Sequence, residues 1–207
     1  IISVLIATKP LCVTRVAEES GAFIAAFNGG QYGGQAVAEA IFGEINPAGK
    51  LPISFPRHSG QIPVYYNSLP GWHGEKYVDL PDSPLFAFGE GLSYTTFSYS
   101  DLRIDPEALE LRVTLRNTGA RAGSETAQVY VRDLVSSVLT PVKRLIAFRK
   151  VRLEAGESRE LVFSLKREDF SLVLPDERHV VEPGEFALFA GGSSRDQDLL
   201  RANITLK

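Results

Sequence analysis

Cysteine occurs once in these 207 residues, at Cys12, and histidine only three times. One thiol excludes an intrachain disulfide and a cysteine cluster alike. His58, His73 and His179 are widely separated and lack metal-ligand spacing, so no metal site is expected. Long apolar runs are absent too. The opening "IISVLIATKPLCV" is broken by Lys9-Pro10 and is too short to span a bilayer. It carries no basic leader followed by a cleavage site, so neither a membrane nor a targeting segment is expected. Neither sign of charge dominates: 22 Lys and Arg stand against 25 Asp and Glu, a formal net charge of -3. That balance gives no electrostatic reason for a nucleic-acid partner.

What is present is an ordinary globular composition, 44% hydrophobic and 23% charged. Residues 1–7 form an apolar run of strand length, as expected for a strand covered on both faces. "RVAEESG" reads as a short, partly helical connection, and "AFIAAF" at 22–27 as a second strand. From Gln35 the spacing turns helical, with Val37, Ala38, Ile41 and Phe42 on one face and Gly43 placed to stop the helix. "KLPISFP" then reads as an edge strand flanked by prolines. Two or three strands and two helices are too few to cover a parallel layer, so residues 1–60 are expected to be the end of a larger α/β unit. Since Ile1-Ile2 falls in mid-pattern, an upstream segment is expected. The compartment (periplasmic, secreted or cytoplasmic) stays open.

Residues 61–100 are rich in aromatics, glycine and proline and show little periodicity. They read as an ordered linker packed across two domains, with Tyr65, Tyr66, Phe86, Phe88, Tyr94 and Phe97 as packing residues. From residue 101 the pattern is β throughout. Leu109, Leu111, Val113 and Leu115 alternate onto one face, as do Ala127, Val129 and Val131, while "NTG", "EAGE" and "EPGE" mark turns. About seven short strands over roughly 100 residues indicate a sandwich. With no Cys-Trp-Cys arrangement, a fibronectin type III-like form fits better than an antibody-type one. The fold class is thus an incomplete α/β layer over 1–60, a linker over 61–100 and an immunoglobulin-like β-sandwich over 101–207.

Several stretches in consistent order carry a more specific signal. "NGGQYGGQAVAEAIFGEINPAGKLPISFP", "GQIPVYYN" and "PLFAFGEGLSYTTFSYSDL" resemble successive C-terminal segments of family 3 glycoside hydrolases, the group containing β-glucosidases and β-xylosidases. "RNTGARAGSETAQVYVRD", "PVKRLIAFRKVRLEAGES" and "VEPGEFALFAGGSS" resemble that family's terminal fibronectin type III-like domain. Asn28 departs from the family's usual proline, and Glu90 stands where an aromatic or histidine is commoner. The resemblance implies a retaining β-glucosidase, with a β-xylosidase or a non-catalytic carbohydrate-binding module as alternatives. It implies no cofactor. It places the nucleophile in an N-terminal barrel and the acid/base residue upstream of Ile1. The implied partners are therefore that barrel, the rest of the α/β domain and a β-linked glucoside or xyloside.

Retaining hydrolysis needs two carboxyl groups about 5 Å apart. Glu18, Glu19, Glu39 and Glu44 read as solvated residues on or beside helices, whereas Asp79, Asp82 and Glu90 read as turn holders or partners of cations. No catalytic residue is assigned within the chain. "NGGQYGG" is the better local candidate, since it follows a strand and opens a helix, where open α/β layers bind ligands. Its glycines, Gly29, Gly30, Gly33 and Gly34, either serve close packing alone or shape a sugar pocket, with Gln31 and Tyr32 facing it. Their spacing does not match a dinucleotide fingerprint. In "PGWHGEKY", Trp72 either stacks on a sugar ring, with His73 and Glu75 bonding hydroxyls, or pins the linker. Ser93 lacks the setting of a nucleophile.

Overall fold

Residues 1–71 and 79–207 are described by a computed structural model of the chain. Two four-residue strands, β1 (Ile2–Leu5) and β2 (Ala22–Ala25), pair in parallel with Leu5 opposite Ala25. Parallel neighbours need a crossover, and it carries the short helix α1 (Thr14–Glu19). Helix α2 (Gly33–Phe42) follows β2. It stops where expected: Gly43 adopts φ 78°, and its N–H turns back to the last helical carbonyls.

Three expectations for this segment are corrected. Strand β1 is shorter than 1–7, and it alternates half-buried Ser3 and Leu5 with exposed Ile2 and Val4. Within residues 1–207 its covered face is the one on which Leu5 packs with Ala17 of α1, Phe23 and Phe86. On α2 the inward stripe runs through Val37, Ala40 and Ile41, whereas Ala38 is exposed and Phe42 is 81% exposed. The stripe follows i, i+3, i+4 spacing through Ala40, and Phe42 falls off it. Finally, "KLPISFP" adds no strand beside β1 and β2. Its prolines have no N–H to donate, and the remaining donors pair antiparallel with the linker. Phe55 N–H donates to Phe86 O (2.8 Å), Leu85 N–H to Phe55 O (2.8 Å) and Gly89 N–H to Leu51 O (2.7 Å).

That pairing builds a small core from both segments. Val13, Phe55 and Leu85 are buried, with Leu5, Phe23, Phe27 and Phe86 against them. Phe86 stacks on Phe23 at 5.7 Å and meets Phe55 edge-on at 6.0 Å. Tyr65, expected to pack, is 63% exposed; its neighbour Tyr66 turns inward instead.

The sandwich comprises β3 (Phe97–Asp105), β4 (Glu110–Asn117), β5 (Gly123–Asp133), β6 (Arg144–Leu153), β7 (Ser158–Ser164), β10 (Gly184–Gly191) and β11 (Leu199–Leu206). A small hairpin, β8 (Leu172–Val173) and β9 (His179–Val180), lies between β7 and β10. One sheet has the order β11-β10-β5-β6, the other β3-β4-β7. Alternation fixes which side meets the core. Leu111, Val113 and Leu115 from one sheet face Ala127, Val129, Leu188 and Ala190 from the other, all at most 1% exposed. Each fully buried leucine or valine of this set contributes about 1.5–3 kcal/mol.

β5 is unusual in being buried on both faces. Its outward residues Gln128 and Tyr130 are covered by the linker, with Tyr66 stacked on Phe88 at 4.2 Å and edge-on to Tyr130 at 5.8 Å. Among the described residues no helix is long and apolar enough to cross a membrane.

Candidate functional site

The glycine-rich turn sits at the C-terminal end of β2, leading directly into α2. Phe27 has φ 50° and Gly30 φ 63°, so the chain reverses through left-handed backbone on either side of Asn28-Gly29. A Cβ on Gly29 would lie 2.7 Å from Gly33 Cα, a separation real side chains do not tolerate. Gly30–Tyr32 form a single 3-10 turn, and Tyr32 occupies the cap position of α2 without a capping side-chain bond. Gln31 and Tyr32 are both exposed there, Tyr32 by 69%. The turn thus presents an amide, a phenol and the uncapped start of a helix on one open edge. Trp72, His73 and Glu75 lie outside the described residues.

The carboxylates separate into two groups. Glu18, Glu19, Glu44, Asp79 and Asp82 are exposed, and Glu39 is half-buried against Gln35, whose amide donates to it at 2.6 Å. Glu19 pairs with Arg15 along α1 at 2.8 Å. Glu90 holds structure: its Oε2 accepts the Ala87 N–H at 2.8 Å and pairs with Arg195 at 2.8 Å. Ser93 Oγ donates to Asn46 Oδ1 at 2.8 Å, which occupies it structurally.

One buried carboxyl belongs to a residue that the sequence reading passed over. Glu125 lies on the inward stripe of β5, one step before Ala127, at the end of the sandwich next to the α/β segment. Lys50 reaches it at 2.9 Å, and Tyr99 Oη donates to it at 3.2 Å. Burial raises the Glu125 carboxyl above its ordinary range, against the pull of Lys50, Tyr99 and the Thr126 amide. Burial, then the Glu125 charge, pushes the Tyr99 phenol far up. Asp133, at the other end of β5, is also raised by burial. Neither acid lies on the β2–α2 edge, and Glu125 is enclosed by its own partners.

Other junction residues escaped the sequence reading as well. Gln128 Nε2 donates to Gly89 O (3.1 Å) and Gly192 O (2.7 Å), while Tyr130 Oη donates to Gln128 Oε1 at 2.5 Å. Asn46 joins three segments: its Nδ2 donates to Ala122 O (3.0 Å), and its Oδ1 accepts Ser93 Oγ and the Tyr94 N–H (2.8 Å each). A signal existed for Glu125, a charge extending the apolar stripe Ala127-Val129-Val131. For Gln128 there was none, because a polar residue on the outer face of a strand ordinarily meets water.

Comparison with known proteins converges on one family. Residues 1–94 match the glycosyl hydrolase family 3 C-terminal domain, and residues 125–194 match a fibronectin type III-like domain. A β-xylosidase of Formosa agariphila is 38% identical over 100% of this chain, and a periplasmic β-glucosidase of Salmonella typhimurium is 36% identical over 94%. The chain spans 30% and 28% of the lengths of these two relatives. Among solved structures, a β-glucosidase of Listeria innocua in complex with glucose matches 99% of the chain at 36% identity, with a TM-score of 0.90. A β-glucosidase of Erythrobacter marinus matches 100% at 40% identity, with a TM-score of 0.92. The chain covers 30% and 28% of those two structures. With both of its segments matched in order and its whole length superimposed, the chain belongs to glycoside hydrolase family 3, corresponding to that family's C-terminal α/β domain and fibronectin type III-like domain.

Proposed function

We propose that this chain works as the C-terminal portion of a β-glucosidase-like hydrolase that cleaves terminal β-D-glucosidic bonds with retention, its reacting carboxylates lying outside residues 1–207. The carrying observation is the whole-length likeness to β-glucosidases that are themselves about three times longer. The division into 1–60, 61–100 and 101–207 belongs to the same reading, with β3 beginning inside the middle segment at Phe97. Retaining chemistry requires a nucleophile and a general acid on either side of the scissile bond. Of the carboxylates weighed for that chemistry, those described are exposed or are bound to Arg15, Gln35 or Arg195, and buried Glu125 is bound to Lys50. On this reading Gln31 and Tyr32 form part of the wall of the sugar pocket, and Trp72, His73 and Glu75 contact its mouth. The sandwich stabilises and orients them.

A β-xylosidase is the second reading, favoured by the Formosa agariphila relative. The test compares kcat/KM of the longer enzyme on aryl β-D-glucoside and aryl β-D-xyloside, with the isolated chain assayed alongside. The proposal expects glucoside to be preferred and the isolated chain to be inactive. Activity of the chain alone that disappears when one of its own carboxylates is replaced would overturn it. Tyr32→Ala and Trp72→Ala in the longer enzyme test the pocket assignments: a raised KM supports them, an unchanged one removes them.

A further inference from the structure

Helix α2 is ten residues long, about 15 Å, and its two ends meet different surroundings. At its start lie Gln31 and Tyr32, both exposed, and after half-buried Gly33 the helical residues Gly34, Gln35 and Ala36 are exposed as well. At its end the junction with the sandwich holds it three times over. Tyr94 Oη donates to Ala40 O at 2.5 Å, inside the last turn. Arg121, on the loop between β4 and β5, donates through Nη2 to Gly43 O at 3.1 Å. Its guanidinium also lies 5.7 Å from the centre of the Tyr94 ring, so the two donors brace each other. Asn46, three residues beyond the helix stop, donates to Ala122 O at 3.0 Å on the same loop. Space around this fixing point is tight: a Cβ on Gly123 would meet Thr95 Cγ2 at 2.6 Å and Asn46 Nδ2 at 2.9 Å.

We infer that Tyr94, Arg121 and Asn46 are positioning residues for glycoside binding: the linker's Tyr94 together with the sandwich loop of Arg121 and Ala122 clamps the C-terminal turn of α2, and the helix carries that alignment to Gln31 and Tyr32 at its other end. The inference rests on the substrate-facing role proposed for those two residues. A misalignment at one end of a rod is amplified at the other. A tilt of about 10° at the clamp moves the far end of a 15 Å helix by about 2.5 Å, and errors of about 1 Å are costly in a binding site. Arg121 satisfies the carbonyl of Gly43, just past the helix end, while Tyr94 adds a second donor to Ala40 O, which already accepts the Gly43 N–H at 3.2 Å. This gives the sandwich a role in substrate affinity although none of its own residues is proposed to touch the sugar.

The test uses the longer enzyme that contains this chain, with an aryl β-D-glucoside as substrate and hydrogen exchange read at the amides of residues 33–37. Tyr94→Phe removes one clamp bond while keeping the ring under Arg121, and Arg121→Gln removes a second, leaving the Asn46–Ala122 bond in place. The pair is expected to raise KM about fivefold with little change in kcat or Tm, and to speed exchange at 33–37. In a Tyr32→Ala background the same pair should add little further, because the clamp acts through the residue already lost. Fully additive KM effects, or a fall in Tm with KM and exchange at 33–37 unchanged, would overturn the inference while leaving the pocket assignment standing. If Gln31→Ala and Tyr32→Ala themselves leave KM unchanged, the pocket assignment fails, and the inference falls with it. Tyr94→Phe alone provides the same readouts should the double variant fold poorly.

Discussion

Lys50 Nζ and Glu125 Oε1 meet at 2.9 Å across the boundary between the α/β segment and the sandwich, with side chains only 15% and 6% exposed. Lys50 also donates to Gly91 O at 3.2 Å, so one ammonium ties together the stretch after α2, the linker and β5. Removing one partner of such a pair leaves the other charge buried without compensation. Lys50→Met is therefore expected to destabilise the chain by about 3–5 kcal/mol, and the double variant Lys50→Met/Glu125→Leu to recover most of that. Urea denaturation of the three proteins checks both statements.

The same carboxyl sets a pH signature. Because burial raises it in the folded state, folding favours its protonated form. The resulting stabilisation is fully present below the ordinary carboxylate range and is lost as pH rises through the raised folded value. Asp105, Glu157 and Glu182 behave oppositely: the Ala108 and Glu107 N–H groups hold Asp105 low, the Glu154 N–H and Arg159 hold Glu157 low, and the Ser137 hydroxyl and N–H hold Glu182 low. Comparison with Glu125→Gln cancels those shared contributions. Wild type should gain stability relative to Glu125→Gln as pH falls from neutrality towards the carboxylate range. A difference that stays flat, or reverses, would show that Lys50 outweighs burial.

Gly89 faces Gln128 at the centre of the linker contact. It has φ 77°, and an added Cβ would stand 2.0 Å from Gln128 Oε1. Gly89→Ala combines left-handed strain with overpacking and should cost about 2–4 kcal/mol. The lower value is expected in a Gln128→Ala background, where the steric part is relieved. Thermal or urea unfolding of the single and double variants measures the difference.

Tyr66 anchors the linker by stacking on Phe88 and by accepting the Leu145 N–H at 3.3 Å. Tyr66→Ala should cost about 3–5 kcal/mol. It should open residues 61–96 to limited proteolysis while hydrogen exchange in β4 and β5 stays slow. Equal loss of protection in linker and sandwich would mean that the two unfold as one unit.

Glu90, read from the sequence with Asp79 and Asp82 as a turn holder or partner of a cation, has bonds to Arg195 and Ala87 that fit such a structural part. Glu90→Gln in the longer enzyme should leave kcat on an aryl β-D-glucoside within about twofold while lowering stability by about 1–3 kcal/mol. A fall in kcat by orders of magnitude at unchanged Tm would reassign it to the chemistry.

The sequence by itself determined the local elements. Period-two alternation placed Leu111, Val113 and Leu115 on the inner face of β4, and the glycine after Phe42 ended α2, because each depends only on neighbours along the chain. The ordered motifs also identified the family. Tertiary structure decided which distant segments meet. The residues around Phe55 pair with those around Phe86 instead of extending the parallel strands, since proline removes some donors and the linker offers partners for the rest. Tyr66 and Phe88 turn the outer face of β5 into interior, which hides Gln128 and Tyr130 where alternation alone would put them in water. Glu125 becomes tolerable on an apolar stripe only because Lys50, far away in sequence, reaches it. Periodicity fixes the side of an element to which a residue belongs; what covers that side depends on chain folding over long separations, and the energy of a buried charge depends on that cover.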